Sequence, residues 1–186
     1  RLLKGLDLIN WPEKIKIAQK NWIGRKEGIN IEYEIEGNEQ KITCWTSRPD
    51  TNFGATFIVL APEHPLAEKI STGLQLKNVT KYIQSSKSRS KDERIREGRQ
   101  KTGVFTGSYA INQLNRQKIP IWISDFVLTD VGTGAVIGVP GHDKRDFDFA
   151  KKFGLPIKRV VVGPDKDTSE ITKLQKVQEE EGKMIN

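Results

Sequence analysis

INIEYEIEGNEQKITCWTSRPDTNFGATFIVLA, residues 29–61, is written largely in the two-residue period of a half-buried sheet. Ile29, Ile31, Tyr33 and Ile35 alternate with polar residues, Gly37-Asn38 supplies a turn, and Ile42 and Cys44 resume the alternation. That pattern predicts a hairpin. Working outward, SRPDTNFG (47–54) reads as a turn leading into the strand-like ATFIVLA (55–61). Three further strand-like runs come late: QKIPIWISDFVL (117–128), GAVIGV (134–139) and IKRVVV (157–162). On the N-terminal side, residues 1–28 read as helix, break, helix, with Pro12 in the first turn of a helix running to about Asn21 and Gly24 and Gly28 ending it. A helix is expected to begin in PEHPLAEKI (62–70), one or two polar helices between Val79 and about Gly98, a short one in DKRDFDFAKKFG closed by Gly154, and a charged one in SEITKLQKVQEEEG (169–182). The strands are not separated by regular helices, so the pattern favours a mixed barrel or closed sheet with surrounding helices over a doubly wound parallel sheet.

The 186 residues are 35% hydrophobic and 30% charged, which suits one core. No run approaches the ~18 apolar residues of a membrane span. No charged-then-apolar leader opens the chain, so the expected location is the cytoplasm or an organellar matrix, with no membrane partner. The single Cys44 cannot form an internal disulfide. A net charge of +7 is concentrated between Lys81 and Lys101, where eight basic residues stand against three acidic ones. Such a segment attracts phosphate backbones or lies on a solvated helix face. Residues 164–186 run the other way, with six acids and four bases.

Two clusters are richer in polar groups than strand ends require. In CWTSRPDT (44–51), Thr46, Ser47, Arg48, Asp50 and Thr51 place five hydrogen-bonding side chains in six positions. A turn built on Pro49 explains them, and so does recognition of a polar ligand. In GAVIGVPGHDKRDFDFA (134–150), an apolar strand runs through Pro140-Gly141 into a helix, with Asp143 at the N-cap position and Asp146 three residues on, as in a capping box. The same geometry gathers carboxylates and free backbone N–H groups at a strand's end, where an ammonium group and an oxyanion could be held. His142, Asp143 and Asp146 invite comparison with metal-dependent phosphohydrolases, but the chain has only two histidines. A Cys44–His142 nucleophilic pair is formally possible. No glycine-rich phosphate loop occurs.

At these residues the chain resembles the editing domain of leucyl-tRNA synthetase, the connective-polypeptide insertion in its bacterial or organellar form. The resemblance runs from Trp11 to about Val162 through WPEKIKIAQKNWIGRKEG, TSRPDTNFGATFIVLAPEHPLA, KTGVFTGSYAINQLNRQKIPIWISDFVL and GTGAVIGVPGHDKRDFDFA. It implies an α+β fold, a six-stranded barrel-like core with peripheral helices, in a single domain whose core spans about 11–162 and whose ends, 1–10 and 164–186, are loosely ordered junction segments. It implies hydrolysis of norvalyl- or isoleucyl-tRNA for leucine, the second sieve needed where a binding pocket discriminates a methylene by only about 1–3 kcal/mol. Thr51 would crowd out the γ-branch of leucine. Thr46 and Ser47 would bond the terminal adenosine and the attacking water, and Arg48 would help hold the polar network. Asp146 would pair with the substrate α-ammonium, Asp143 would order that corner, Arg145 would lie near the nucleic acid, and Asp50 and His142 would be among the substrate-binding residues. Ile137 and Val139 would wall the side-chain pocket.

The family has no accepted protein nucleophile, and the resemblance implies no cofactor or metal for this chain. ATP and Mg would serve only a synthetic domain that the sequence lacks, in a parent leucine–tRNA ligase whose body would be a partner together with leucine tRNA. The sequence departs from the family at Ser47 (usually Thr), Asn52 (usually apolar), Val131 (often aromatic) and Cys44-Trp45. The alternatives are a catalytically degenerate tRNA-binding module and a valyl- or isoleucyl-type editing domain; the valyl type typically carries Glu at position 50.

Overall fold

The computed structural model describes residues 1–96 and 99–185. Strands β1 (Ile29–Ile35) and β2 (Lys41–Thr46) form the expected hairpin, with Tyr33 opposite Ile42 and Ile31 opposite Cys44. They join β3 (Phe57–Leu60), β4 (Val104–Ile111), β5 (Lys118–Ile123) and β6 (Ala135–Gly138) in one sheet ordered β2-β1-β4-β5-β3-β6. The edge strand β6 comes back against β2, so the sheet is nearly closed into a barrel. All ladders in it are antiparallel except β3–β5.

The period-2 pattern explains the core. Tyr33, Ile35, Ile42, Cys44, Ile119, Ile121 and Ile123 point inward and are buried, joined by Ile58, Leu60 and Ile137. Strand β3 is buried on both faces, since Phe57 and Val59 point outward into a second cluster with Phe126, Phe149 and Ala150. Phe149 belongs to α5 (Lys144–Phe153), which covers this outer face. The rings of Phe57 and Phe149 stack at 5.2 Å, and Trp122 meets Phe149 edge-on at 5.7 Å. Gly138 on β6 is required by this packing, because a Cβ there would lie 2.2 Å from the Phe57 ring.

The N-terminal helices are α1 (Leu2–Asp7) and α2 (Glu13–Ile23), the latter closed at Gly24 as expected. Helix α5 ends at Gly154, whose left-handed φ of 65° suits a residue without Cβ. No helix among the described residues is long and apolar enough to cross a membrane.

Five expectations need correction. PEHPLAEKI forms a series of turns, because Pro62 and Pro65 lack donors and disfavour helical predecessors. The helix that follows, α3, starts earlier than Val79 and spans Gly73–Lys87; α4 covers Lys91–Ile95, and the expected end at Gly98 lies outside the described residues. The sixth barrel strand is β4, which the sequence pattern passed over: its register shifts between Phe105 and Tyr109, where Gly107 takes a φ of 84°. IKRVVV supplies only β7 (Val161–Val162), outside the barrel, paired with β8 (Lys183–Met184).

The fifth correction is the tail. Residues 169–182 are not a charged helix but irregular, with one short 3-10 turn at Leu174–Lys176. Ile171 and Val177 are buried against Phe147 of α5, so apolar anchoring outweighs local helix propensity.

Candidate functional site

A cavity of about 580 Å³ opens between the end of β2, strand β6 and the start of α5. Its wall includes Thr46, Ser47, Arg48, Thr51, Ile137, Val139, His142, Asp143, Arg145 and Asp146. Two segments almost a hundred positions apart in sequence thus face one space. Asp50 is the exception among the expected residues: it lies outside the cavity wall and forks onto Arg48, with Arg48 Nε to Oδ1 at 3.0 Å and Nη2 to Oδ2 at 2.8 Å. That bond holds the Asp50 carboxyl below its usual range.

The turn after β2 is self-supporting. The Arg48 N–H donates to Thr46 Oγ1 at 3.0 Å, and the Thr51 hydroxyl donates to the Arg48 carbonyl at 2.9 Å. Both readings of this segment therefore hold: the polar side chains build the turn, and the turn presents them to the cavity. Thr46 Oγ1 accepts here and keeps its own proton for donation, while Ser47 is exposed at the rim. Thr51 is only 4% exposed, and its hydroxyl bond restrains the side chain.

At the opposite wall, Asp143 caps α5, its Oδ1 accepting from the Asp146 N–H at 3.0 Å. The reciprocal half of a capping box does not form. Asp146 instead turns inward, where Oδ2 accepts from the Val139 N–H at 3.0 Å and Oδ1 lies 3.4 Å from Arg145 Nε. Burial first, and then the neighbouring Asp143 charge, push the Asp146 carboxyl up to about 7. Arg145 supplies one long contact to this buried carboxyl, and a second cation reaching it would favour its ionised form.

His142 is committed elsewhere. Its Nε2 accepts from the Val160 and Val161 N–H groups at 3.0 and 3.2 Å, which leaves Nδ1 as the donor to the Gln178 carbonyl at 2.9 Å. The ring lines the cavity but has no nitrogen free for substrate or metal, because it ties β7 and the tail to the loop before α5. Among the described residues, no group of three His, Cys, Asp or Glu could hold a metal ion. Cys44 is sealed inside the barrel and burial raises its thiol to about 12, so a Cys44–His142 nucleophilic pair has no support.

Asn52 is not in the cavity wall either. It is buried behind the wall, where its Oδ1 accepts from the Tyr33 hydroxyl and its carbonyl accepts from Asn112 Nδ2 at 2.8 Å. The polar residue at this position is thus matched by polar partners and leaves the cavity untouched.

The sequence reading missed Lys26, Trp45, Gly132, Ala135 and Val136 as cavity residues. Trp45 was legible: with Cys44 inward, the alternation turns Trp45 outward, and it is 38% exposed at the wall. Lys26 was not, since its approach depends on the pairing of Ile29 with Thr46.

The family described as the leucyl-tRNA synthetase editing domain matches residues 20–186. The chain belongs to that family. It is 54% identical over 164 residues to the leucine–tRNA ligases of Prosthecochloris aestuarii and of Chlorobaculum parvum, covering 88% of this chain and 20% of each relative. A solved structure of the Agrobacterium radiobacter K84 LeuRS–tRNA–LeuAMS ternary complex is similar with a TM-score of 0.71 at 40% identity, over 86% of this chain and 19% of that one. The chain therefore spans about a fifth of the length of the curated relatives it matches. Its nearly closed six-stranded barrel with helices outside is the α+β architecture expected for this editing domain.

Proposed function

We propose that this editing domain hydrolyses the ester linking a wrong amino acid, such as norvaline or isoleucine, to the terminal adenosine of leucine tRNA. One observation carries the reading: the buried, cavity-lining Asp146 carboxyl faces the same space as the hydroxyl-rich turn Thr46–Thr51. An aminoacyl ester carries an α-ammonium for the first and a ribose and ester oxygens for the second. Arrival of the ammonium stabilises the Asp146 carboxylate against its burial. Thr46 and Ser47 would bond the adenosine and align a water on the ester carbonyl; attack forms a tetrahedral oxyanion, and its collapse frees the amino acid and the ribose hydroxyl. Thr51 would narrow the side-chain pocket against leucine, with Ile137 and Val139 as its apolar wall. Arg48, braced by Asp50, would hold the turn, while Asp143 and Arg145 would set the ammonium corner.

Leucine tRNA and the body of a leucine–tRNA ligase are the implied partners, in the cytoplasm or wherever that tRNA is charged. The mechanism draws on no metal or cofactor within this domain. The test is deacylation of norvalyl-tRNA and leucyl-tRNA by the chain, with and without chelator. Chelator-insensitive loss of norvaline with leucine spared supports the reading. Tight tRNA binding with neither ester hydrolysed, both alone and within a full-length ligase, would instead identify a degenerate binding module.

A further inference from the structure

The cations of the Lys81–Lys101 segment divide into two groups. Three of its four arginines are spent on the fold, and Arg96 is exposed. Arg94 Nη1 meets Glu63 at 2.7 Å and its other nitrogens bond the carbonyls of Asp125 and Val127, while Arg89 and Arg99 both meet the buried Asp125 at 2.7 Å. These side chains are structural. Lys101 differs: it is half-buried, and among the described residues its ammonium has no ion-pair partner.

Lys101 Nζ lies 5.4 Å from the centroid of the Phe126 ring, and the Arg145 guanidinium lies 5.2 Å from the same centroid. Two cations drawn to one ring repel each other. Burial and Arg145 lower the Lys101 ammonium, only partly offset by Asp148, Asp143 and Asp146. An unpaired, partly desolvated ammonium beside a guanidinium is costly unless an anion comes to it.

Beyond Lys101 runs a groove of about 500 Å³ lined by Arg99, Gln100, Lys101, Asp148, Lys151 and Lys152. With Arg99 engaged by Asp125, three lysines stand against one carboxylate. Lys152 Nζ donates to the Lys101 carbonyl, which holds the two lysines at the same place. Arg145 lines the 580 Å³ cavity and Lys101 lines the groove, and both approach the Phe126 ring, so that ring links the two.

We propose that Lys101, Lys151 and Lys152 form a track for the phosphodiester backbone of single-stranded RNA whose 3′ end enters the cavity. This rests on the proposed function, which supplies the 3′ end. Each nucleotide of a strand leaving the cavity brings one phosphate, and the groove offers three lysines to receive it. Lysine on flexible stems suits backbone contacts that are independent of sequence.

The test is fluorescence anisotropy of the 186-residue chain with a labelled single-stranded RNA ending in CCA, titrated across salt. The double substitution Lys151→Glu/Lys152→Glu acts on two exposed positions of α5. Lys77→Glu/Lys81→Glu makes the same charge change at exposed positions on α3. The groove variant should lose about tenfold or more in affinity, with a log–log salt slope smaller by about 1.4, the share of two phosphates. The α3 variant should bind nearly as the parent does. Lys101→Gln gives a second, milder reading, and an unchanged melting temperature certifies the fold of each variant. Equal weakening by both double substitutions, or an unchanged slope in the groove variants, overturns the proposal. Should the parent chain bind with the expected contrast yet deacylate nothing, both alone and within a full-length ligase, the hydrolase reading fails and the groove stands.

Discussion

Arg48 Nη1 donates to the carbonyl oxygen of Glu179, 131 positions along the chain, at 3.2 Å. The same guanidinium forks onto Asp50. Glu179 in turn pairs with Lys144 at 2.7 Å and accepts from its N–H at 3.1 Å, at the first turn of α5. The tail therefore bridges the two walls of the cavity. Its anchorage is apolar, through Ile171 and Val177 on Phe147. Ile171→Ala should cost about 2–4 kcal/mol in denaturant unfolding, as for a buried aliphatic truncation. A tail hanging free would show no change in the unfolding midpoint.

Asp146 should give the reaction its acid limb. With its carboxyl near 7 in the empty site, the ionised fraction rises through that range, so kcat/KM for deacylation should increase with pH up to about 7–8. Asp146→Asn keeps the shape, lowers the rate at least about a hundredfold and removes that limb. A variant with the parent's pH profile would show that Asp146 only supports the start of α5.

Thr51→Ala opens the buried end of the turn toward the cavity. Leucyl-tRNA, which under the proposed function the parent spares, should then be hydrolysed about 10- to 200-fold faster, the range one methyl-sized change can discriminate. Continued sparing of leucine removes Thr51 from the role of gate.

His142 makes stability depend on pH. Burial, its first cause, lowers the imidazole below its ordinary value, and its Nε2 must stay unprotonated to accept two N–H bonds. The unfolded chain then binds the proton first, so this contribution is present above about pH 6.5 and is lost as pH falls below it. Melting temperature should drop between about pH 6.5 and 5, more steeply in the parent than in His142→Gln. Parallel curves would contradict the assignment.

Arg94 tests the inward reading of the basic segment. Its side chain is 6% exposed and bonds Glu63 and two carbonyls. Arg94→Ala should cost about 3–5 kcal/mol in unfolding free energy, the range for breaking a buried pair. Loss of RNA affinity without loss of stability would place it on the surface instead.

Much of the barrel was legible. The alternation in residues 29–46 and 118–123 marks strands buried on one side, and the short apolar runs 57–60 and 135–138 mark strands buried more fully; both are local properties of strands. β4 escaped because Gly107 and its register shift break the period. The tail escaped because its charges suit a helix, whereas two buried aliphatics decide its path.

At the site, residue types and spacing within each segment were enough to single out Thr46–Thr51 and His142–Asp146. Turn chemistry and helix capping act over a few residues, so the sequence alone could state them. Which of those groups remain free for chemistry is a long-range matter. His142 is occupied by Val160, Val161 and Gln178, and Asp50 by Arg48, while Asp146 is turned inward to Val139. Hydrogen-bond partners, burial and hence proton affinity are set by whatever the fold brings alongside. Composition and spacing therefore determined five of the six barrel strands, the caps of α2 and α5 and the two polar clusters; closure of the barrel decided that the clusters share one cavity and which side chains are available in it.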